Sequence, residues 1–215
     1  MSDAPGRNDS RAGLSRRQFL KGSGVTAATA ALAGTAEAAV QAATADESKD
    51  KTESMGPGPV ALTLDVNGAK METKVEPRVT LLDTLRNHLD VTGCKRVCDR
   101  GTCGACTVLL DGKTVYACTT LALEAQGKKV RTAESLVDGD KIDKVAAAFV
   151  KADAQQCGFC TPGFVVSMYA AFQDNPSAGP GEIENALSGN ICRCGTYEQM
   201  RDAIAALCKV KRKEA

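Results

Sequence analysis

The stretch TGCKRVCDRGTCGACTV, residues 92–108, places four cysteines within one short loop. From Cys98 onward their spacing is Cys98-x4-Cys103-x2-Cys106, which is typical of plant-type [2Fe–2S] sites whose fourth ligand comes from further along the chain. Gly101 and Gly104 suit a loop that wraps closely around a cluster, because glycine adopts positive φ without strain. The loop therefore predicts three ligands of an iron–sulfur site.

The fourth ligand of this site follows from a predicted hairpin. The segments TVLL and KTVYAC flank Asp111-Gly112, which is a strong signal for a two-residue turn. Counting outward from the turn, Leu110 faces Lys113, Val108 faces Val115, and Ala105 faces Cys118, so Cys118 returns beside Cys106. The predicted site consists of Cys98, Cys103, Cys106 and Cys118. Cys94 is then a surplus thiol, because a site built from the four loop cysteines would leave Cys118 unexplained.

The segments around this loop predict a compact α+β domain over residues 58–133. VALTLDV alternates apolar and polar residues and is followed by the turn signal Asn67-Gly68 and a returning strand. Thr80 can cap a helix through LLDTLRNHL, whose leucines share one side. The segment KKVRT, residues 128–132, predicts a closing strand.

The periodicity of the chain changes after Ala133 and predicts a four-helix domain over residues 134–210. A proline at the start of one helix and a Gly-Pro-Gly break between two others support the helix limits. The predicted helices are Asp140–Asp153, Pro162–Asn175, Gly181–Leu187 and Thr196–Val210.

A second cysteine set lies at the predicted ends of these helices. It consists of Cys157-x2-Cys160 and, further on, Cys192-x-Cys194. Zinc often uses pairs of the first kind, but the tighter second pair is less usual for zinc, so this spacing leaves zinc and iron–sulfur both open. Cys208, late in the last helix, is interpreted as a buried apolar thiol.

The composition excludes several classes of protein. The chain has 215 residues and a formal net charge of +1, which gives no electrostatic case for binding nucleic acid. Its single histidine, His88, excludes a Rieske centre and a Cys2His2 zinc finger, because both need two imidazole ligands. We interpret His88 as a surface residue. Since no catalytic base, activated nucleophile or phosphate loop is visible, we expect no catalytic residue and no substrate site on this chain.

The first part of the chain predicts export. SRRQFLKGS carries paired arginines and precedes a weakly apolar, alanine-rich stretch and small residues suited to cleavage. This layout is typical of a twin-arginine signal, here residues 1–38, followed by a flexible linker over residues 39–57. That pathway carries folded proteins, often with a cofactor already bound, which favours metal clusters over disulfides. We therefore predict a periplasmic protein without a membrane span.

Together these motifs resemble those of one family, the iron–sulfur subunits or domains of molybdenum hydroxylases, which include xanthine dehydrogenases and aldehyde oxidoreductases. The matching motifs are CDRGTCGACTV, QCGFCTPG (residues 156–163) and SGNICRCGTY (residues 188–197). They occur in the same order as in the family, and the likeness extends from about residue 60 to residue 207. With its export signal, the chain looks closest to the small subunit of periplasmic aldehyde oxidoreductases. Cys94 departs from the family pattern, which typically has Thr or Gly there.

The resemblance implies a fold and two cofactors. The first domain would be a β-grasp, plant-ferredoxin-like fold with one [2Fe–2S] cluster on the set already derived. The second would be a four-helix bundle with another [2Fe–2S] cluster on Cys157, Cys160, Cys192 and Cys194. Gln156 matches a glutamine beside the pterin of the molybdopterin cofactor, and Cys194 matches a ligand that approaches the same pterin.

The resemblance also implies partners and a path for electrons. A large subunit would hold the molybdopterin cofactor and hydroxylate an aldehyde or an N-heterocycle. Electrons would pass through the cluster of the helical domain and then that of the ferredoxin-like domain to FAD on a medium subunit. Two alternatives remain open: a free-standing two-cluster electron carrier, and a non-redox protein stabilised by zinc or disulfides.

Overall fold

The computed structural model describes residues 56–209. The predicted export signal (1–38), most of the predicted linker (39–57) and the end of the last predicted helix lie outside this range. Within it, no helix is long and apolar enough to cross a lipid bilayer.

A mixed five-stranded sheet forms the first half of the described chain. Its strands lie in the order β2-β1-β5-β3-β4. β5 runs parallel to β1 and antiparallel to β3, and the two hairpins β1-β2 and β3-β4 are antiparallel. The strands are β1 (Val60–Val66), β2 (Ala69–Val75), β3 (Thr107–Leu110), β4 (Lys113–Tyr116) and β5 (Lys129–Arg131).

Both predicted hairpin turns are present. Asp111 and Gly112 have φ of 49° and 83°, the left-handed values that a tight two-residue hairpin turn needs. The register is the predicted one, with Leu110 opposite Lys113 and Val108 opposite Val115. The ladder ends at Thr107 and Tyr116, so the predicted pairing of Ala105 with Cys118 is not part of it. Just beyond the ladder, a hydrogen bond of 3.3 Å from the Ala117 amide to the Cys106 carbonyl still joins the two segments.

The predicted first helix forms, but most of it is a π-helical turn. The helix α1 (Leu81–Asp83) continues as the π-turn Thr84–His88. The Thr80 hydroxyl accepts a hydrogen bond of 3.1 Å from the Asp83 amide, which is the predicted cap. The leucines of the segment, including Leu89, are buried in the core of the first half, and His88 is exposed as predicted.

Four helices of seven or more residues follow in the second half of the described chain. They are α2 (Lys144–Lys151), α3 (Thr161–Asp174), α4 (Pro180–Ala186) and α5 (Tyr197–Leu207). The predicted start of the first of these, Asp140, is wrong. Strands β6 (Val137–Asp138) and β7 (Lys141–Ile142) form a small hairpin there, and the Asp143 carboxylate then caps α2 by accepting from the Val145 amide at 2.8 Å.

Strand β3 joins the two halves of the molecule. Val108 and Leu110 belong to the apolar core of the first half, whereas Leu109 belongs to the core formed by the helices. Since neighbouring side chains of a strand point to opposite faces, this strand is buried on both sides. The architecture confirms the predicted α+β class, with a ferredoxin-like half followed by a helical half.

Candidate metal centres

The first cysteine set lies at one end of the sheet. Its first three members lie in the loop before β3, and Cys118 follows β4. Cys103 lies close enough to Cys98 to affect the pKa of the Cys98 thiol, and Cys118 lies close enough to Cys106 to affect that of the Cys106 thiol. Cys103 also lies close enough to Cys106 to disfavour a second negative charge there. The structure therefore brings together the four cysteines that the spacing and the hairpin register selected.

Backbone amides of the loop point at these sulfur atoms. The Gly101 amide donates to Cys118 Sγ at 3.2 Å, and the Thr102 amide donates to Cys98 Sγ at 3.4 Å. Gly101 and Gly104 have φ of 73° and 68°, so this wrapping uses a backbone conformation that L side chains rarely adopt. Such N–H···S bonds stabilise negative charge on sulfur and suit thiolate ligands.

The second set lies at two helix ends. Cys157 and Cys160 precede α3, and Cys192 and Cys194 precede α5. Cys192 lies close enough to Cys160 to raise the pKa of the Cys160 thiol, and Cys157 lies close enough to Cys194 to affect the pKa of the Cys194 thiol. The Tyr197 hydroxyl accepts from the Cys192 amide at 2.8 Å and donates to its carbonyl at 3.1 Å, which closes the loop between the last two cysteines and α5.

One thiol in each set has a lowered pKa. Hydrogen bonding from Thr102 is the largest cause that lowers the pKa of Cys98, to about 6. Burial raises the pKa of Cys192, but hydrogen bonds from Thr196 outweigh this effect and bring it to about 7. Each set thus contains a thiol that readily supplies a thiolate, the form that binds metal.

Another thiol in each set has a raised pKa. Burial, together with the neighbouring thiols, raises the pKa of Cys106 and of Cys160 to about 12. Four thiolates so close together would repel one another, and a bound cation removes this cost by deprotonating and neutralising the thiols. The donor sets therefore fit a thiolate-ligated metal group better than they fit four free thiols.

Each set supplies four cysteines, and a [2Fe–2S] cluster with four cysteine ligands takes two thiolates at each iron. The neighbouring pairs of thiols are Cys98 with Cys103, Cys106 with Cys118, Cys157 with Cys194, and Cys160 with Cys192.

An unpartnered hydroxyl lies beside the second set. The Thr161 Oγ1 atom is buried and has no hydrogen-bond partner among the described residues. Thr161 directly follows Cys160 in the first turn of α3. Since a buried hydroxyl without a partner costs about 1–3 kcal/mol, a sulfur-rich group bound here would supply a missing acceptor.

The two remaining cysteines are separate from these sets. Cys94 is 1% exposed, and its Sγ lies 3.9 Å from the Val91 carbonyl within the core of the first half. Cys208 is only partly buried, so its side chain is more exposed than predicted. Its Sγ donates to the Ala178 carbonyl at 3.3 Å. The surplus role of Cys94 stays a prediction, since all ten cysteines are free thiols in this structure.

Gln156 and Cys194, the two residues expected beside the pterin, lie on the surface. Gln156 is exposed, as are Cys157 and Cys194. Phe159 and Ile191 in the same loops are 49% and 53% exposed, and Tyr197 at the start of α5 is 39% exposed. One side of this set is therefore open and bordered by large apolar side chains.

Sequence reasoning missed the residues that join the two cysteine loops. Gly163, Asn190 and Tyr116 make these contacts, and the first two lie inside the quoted motifs. Neither their spacing nor their residue type indicates a contact between domains. Only the orientation of the two halves around β3 reveals it.

Comparisons with known proteins agree with this geometry. Residues 64–136 match the model of a 2Fe-2S iron-sulfur cluster binding domain, and residues 132–205 match that of a [2Fe-2S] binding domain. Residues 13–33 match the twin-arginine translocation pathway signal sequence. The chain is therefore exported through the twin-arginine pathway to the periplasm.

The chain is similar to subunits of several oxidoreductases. It is 40% identical to the aldehyde oxidoreductase iron-sulfur-binding subunit PaoA of Escherichia coli, over 89% of this chain and 86% of that protein. It is 43% identical to the nicotine 6-hydroxylase small subunit of Paenarthrobacter nicotinovorans, over 67% of this chain and 87% of that subunit. The crystal structure of quinoline 2-oxidoreductase from Pseudomonas putida 86 superposes with a TM-score of 0.67 at 37% identity, covering 71% of this chain and 95% of that one.

The fold, the two cysteine sets and the similar proteins together identify this chain as an iron–sulfur subunit of a multi-subunit oxidoreductase. The chain belongs to the family of iron–sulfur subunits of molybdenum hydroxylases, the xanthine dehydrogenase and aldehyde oxidoreductase family.

Proposed function

We propose that this chain transfers electrons through two [2Fe–2S] clusters, from a molybdopterin centre on a large subunit towards FAD on a medium subunit. The ferredoxin-like domain, residues 58–133, would bind one cluster through Cys98, Cys103, Cys106 and Cys118. The helical domain, residues 134–210, would bind the other through Cys157, Cys160, Cys192 and Cys194. The cofactors supply one-electron chemistry, and the protein positions them.

The grouping of the thiols into two sets of two pairs carries this proposal. Each set contains two neighbouring pairs of thiols, and a [2Fe–2S] cluster takes two thiolates at each iron. Amides directed at Cys98 and Cys118 support negative charge on the ferredoxin-type set, and the unpartnered Thr161 hydroxyl adjoins the helical set.

The open side of the helical set supports its role as the entry point for electrons. Phe159 and Ile191 border the exposed Cys157 and Cys194, and large exposed apolar side chains grouped around a site indicate a protein contact. We propose that the molybdopterin subunit covers this side. Gln156, exposed in the same loop, would then lie beside the pterin, and Cys194 would be the ligand nearest to it.

The proposal is tested on the complex purified after co-expression with its partner subunits. We expect about four irons and four acid-labile sulfides per copy of this chain, two of each for each cluster. Reduction should give two distinct EPR signals. A chain that purifies alone with both clusters would favour the free-standing carrier, and a colourless product without iron would contradict the proposal.

A further inference from the structure

Cys192, a proposed ligand in the helical half, is held by hydrogen bonds at its sulfur and at both of its backbone groups. Thr196 Oγ1 lies 3.2 Å from Cys192 Sγ. The Tyr197 hydroxyl accepts from the Cys192 amide at 2.8 Å and donates to the Cys192 carbonyl at 3.1 Å. Two consecutive hydroxyl side chains at the start of α5 therefore hold this one cysteine.

Thr196 occupies the N-cap position of α5, but its hydroxyl does not cap the helix. A threonine in this position usually accepts a hydrogen bond from an amide of the first helical turn, as Thr80 does at the start of α1. Within residues 56–209, no side-chain hydrogen bond of this kind caps α5, and the Thr196 hydroxyl contacts the sulfur of Cys192 instead. Its hydrogen bond is therefore made to the cysteine rather than to the helix.

Metal binding would fix the direction of this hydrogen bond. Either atom can be the donor while the sulfur of Cys192 carries a proton. A cysteine that binds metal is a thiolate and has no proton to donate, so the Thr196 hydroxyl must then donate to Cys192 Sγ. Thr196 and Cys192 are 8% and 7% exposed. Since such burial keeps water away, the hydrogen bond is electrostatically stronger than it would be at the surface.

The ring of Tyr197 is held by packing against the helical core. It lies edge-on to the ring of Phe164, with the two centroids 6.4 Å apart and the planes at 77°. Phe164 is buried in α3, the helix that follows Cys160. The hydroxyl that binds both backbone groups of Cys192 therefore belongs to an oriented side chain, and this keeps the sulfur of Cys192 within reach of Thr196.

We propose that the Thr196 hydroxyl raises the reduction potential of the helical-domain centre by donating a hydrogen bond to Cys192 Sγ, with Tyr197 as a positioning residue that holds Cys192 in place. This inference rests on the proposed two-cluster function. Reduction adds one electron to the centre, given up by the molybdopterin centre, and the hydroxyl proton stays on Thr196. A hydrogen bond to the ligand sulfur stabilises the added negative charge and so favours the reduced form.

The test compares variants of Thr196 in the complete complex with its partner subunits. Thr196→Val removes the hydroxyl and keeps the branched shape, whereas Thr196→Ser keeps the hydroxyl. A redox titration followed by EPR measures the midpoint potential of each centre. The signal of the helical-domain centre is identified as the one that remains in Cys118→Ser.

In Thr196→Val we expect the ratio of reduced to oxidised helical-domain centre at a fixed potential to fall by about threefold to tenfold, because a hydrogen bond to a charged sulfur is lost. This corresponds to a midpoint potential lower by about 30–60 mV, since a tenfold ratio is 59 mV for one electron. The iron content and the potential of the ferredoxin-type centre should not change, and Thr196→Ser should match the wild type.

Two further variants complete the comparison. Thr80→Val removes the hydroxyl of the other N-cap threonine, in the other half of the molecule, and should leave the potential of the helical-domain centre unchanged. Tyr197→Phe removes the hydroxyl that holds the backbone of Cys192 and should lower this potential by less than Thr196→Val does, because the donor to sulfur remains. An unchanged potential in Tyr197→Phe would contradict its positioning role.

An unchanged potential in Thr196→Val, with all the iron bound, would overturn the inference. Thr196→Ala removes the hydroxyl without adding a branched apolar side chain, and covers the case in which Thr196→Val loses the centre. Loss of the helical-domain signal in both variants would also overturn the inference, because the hydroxyl would then be needed to bind the cluster rather than to adjust its potential. A wild-type complex that lacks one of the two EPR signals would instead contradict the proposed function.

Discussion

Cys118 and Cys94 are both buried thiols of the first half, but their sulfur atoms have different neighbours. Cys118 Sγ accepts from the Gly101 amide and contacts the thiol of Cys106, whereas Cys94 Sγ faces the Val91 carbonyl. Burial and the nearby Glu134 carboxylate raise the pKa of Cys94 to about 11. The atoms around each sulfur, rather than its degree of burial, thus distinguish the proposed ligand Cys118 from the structural thiol Cys94.

The first prediction concerns these two residues. Cys118→Ser should remove the ferredoxin-type EPR signal and lower the iron content from about four to about two per chain, because one cluster loses a ligand. The matched variant Cys94→Ser should retain both signals and all the iron. The reverse result would refute the ligand assignment and the interpretation of Cys94 as surplus.

A second prediction concerns the reactivity of the free thiols at pH 8. With a pKa of about 11, only about one thousandth of Cys94 is thiolate at this pH, and its burial also excludes reagents. Cys208 is partly exposed, and burial raises its pKa as well. In the loaded native protein, thiol titration should find Cys208 reacting slowly and Cys94 not at all.

After denaturation in the presence of a chelator, all ten cysteines of the chain should react in the same titration. Cys208→Ser provides the control, since it should abolish the slow native reaction. Fast alkylation of Cys94 in the native protein, identified by mass spectrometry, would contradict the burial described for it.

At the scale of elements, the hairpins and helices were largely predictable because their signals are local. Asp111-Gly112 determines the turn, and the turn determines the register that returns Cys118 to the loop. The hairpin at residues 137–142 was missed because its strands are two residues long, and the helical periodicity of the segment was taken to begin at Asp140. The contact between Asn190 and Gly104 spans 86 residues, and no local pattern encodes it.

The third prediction belongs to the start of α1. Thr80→Ala removes the hydroxyl that accepts from the Asp83 amide and should lower the free energy of unfolding by about 1 kcal/mol. Thr80→Ser keeps this acceptor and should remain within about 0.5 kcal/mol of the wild type. Urea unfolding of the apo chain measures both. An equal loss in the two variants would show that the Thr80 methyl group, rather than the cap, stabilises the segment.

At the scale of the whole molecule, the two proposed centres differ in how they meet the surroundings. Cys106 and Cys118 are buried, and Cys157 and Cys194 are exposed beside large apolar side chains. A cluster left open in this way would exchange electrons with solvent oxidants unless a partner covers it. Under the proposed function, the exposed side of the helical half is therefore the surface that the molybdopterin subunit would cover.

The fourth prediction tests this surface. Ile191→Asp introduces a charge where an apolar side chain is 53% exposed, and should weaken binding of the molybdopterin subunit at least tenfold, or about 1.4 kcal/mol. The control Val150→Asp changes a valine that is 67% exposed on α2, away from the cysteine loops, and should leave binding unchanged. Analytical gel filtration of the co-expressed subunits gives the comparison, with iron content as the check on folding. Equal effects of the two variants would argue against this interface.

The Asn190 side chain and the Gly104 carbonyl to which it donates lie far apart in the sequence, and this has a consequence for biosynthesis. At about 5–20 residues per second, a ribosome needs on the order of 4 to 17 s to make the 86 residues between Gly104 and Asn190. During this interval the loop with Cys103 lacks the partner that holds it in the finished protein. The first half therefore completes this contact only after the last quarter of the chain has been made. An export pathway that accepts only folded proteins would then transport the chain only after this contact has formed.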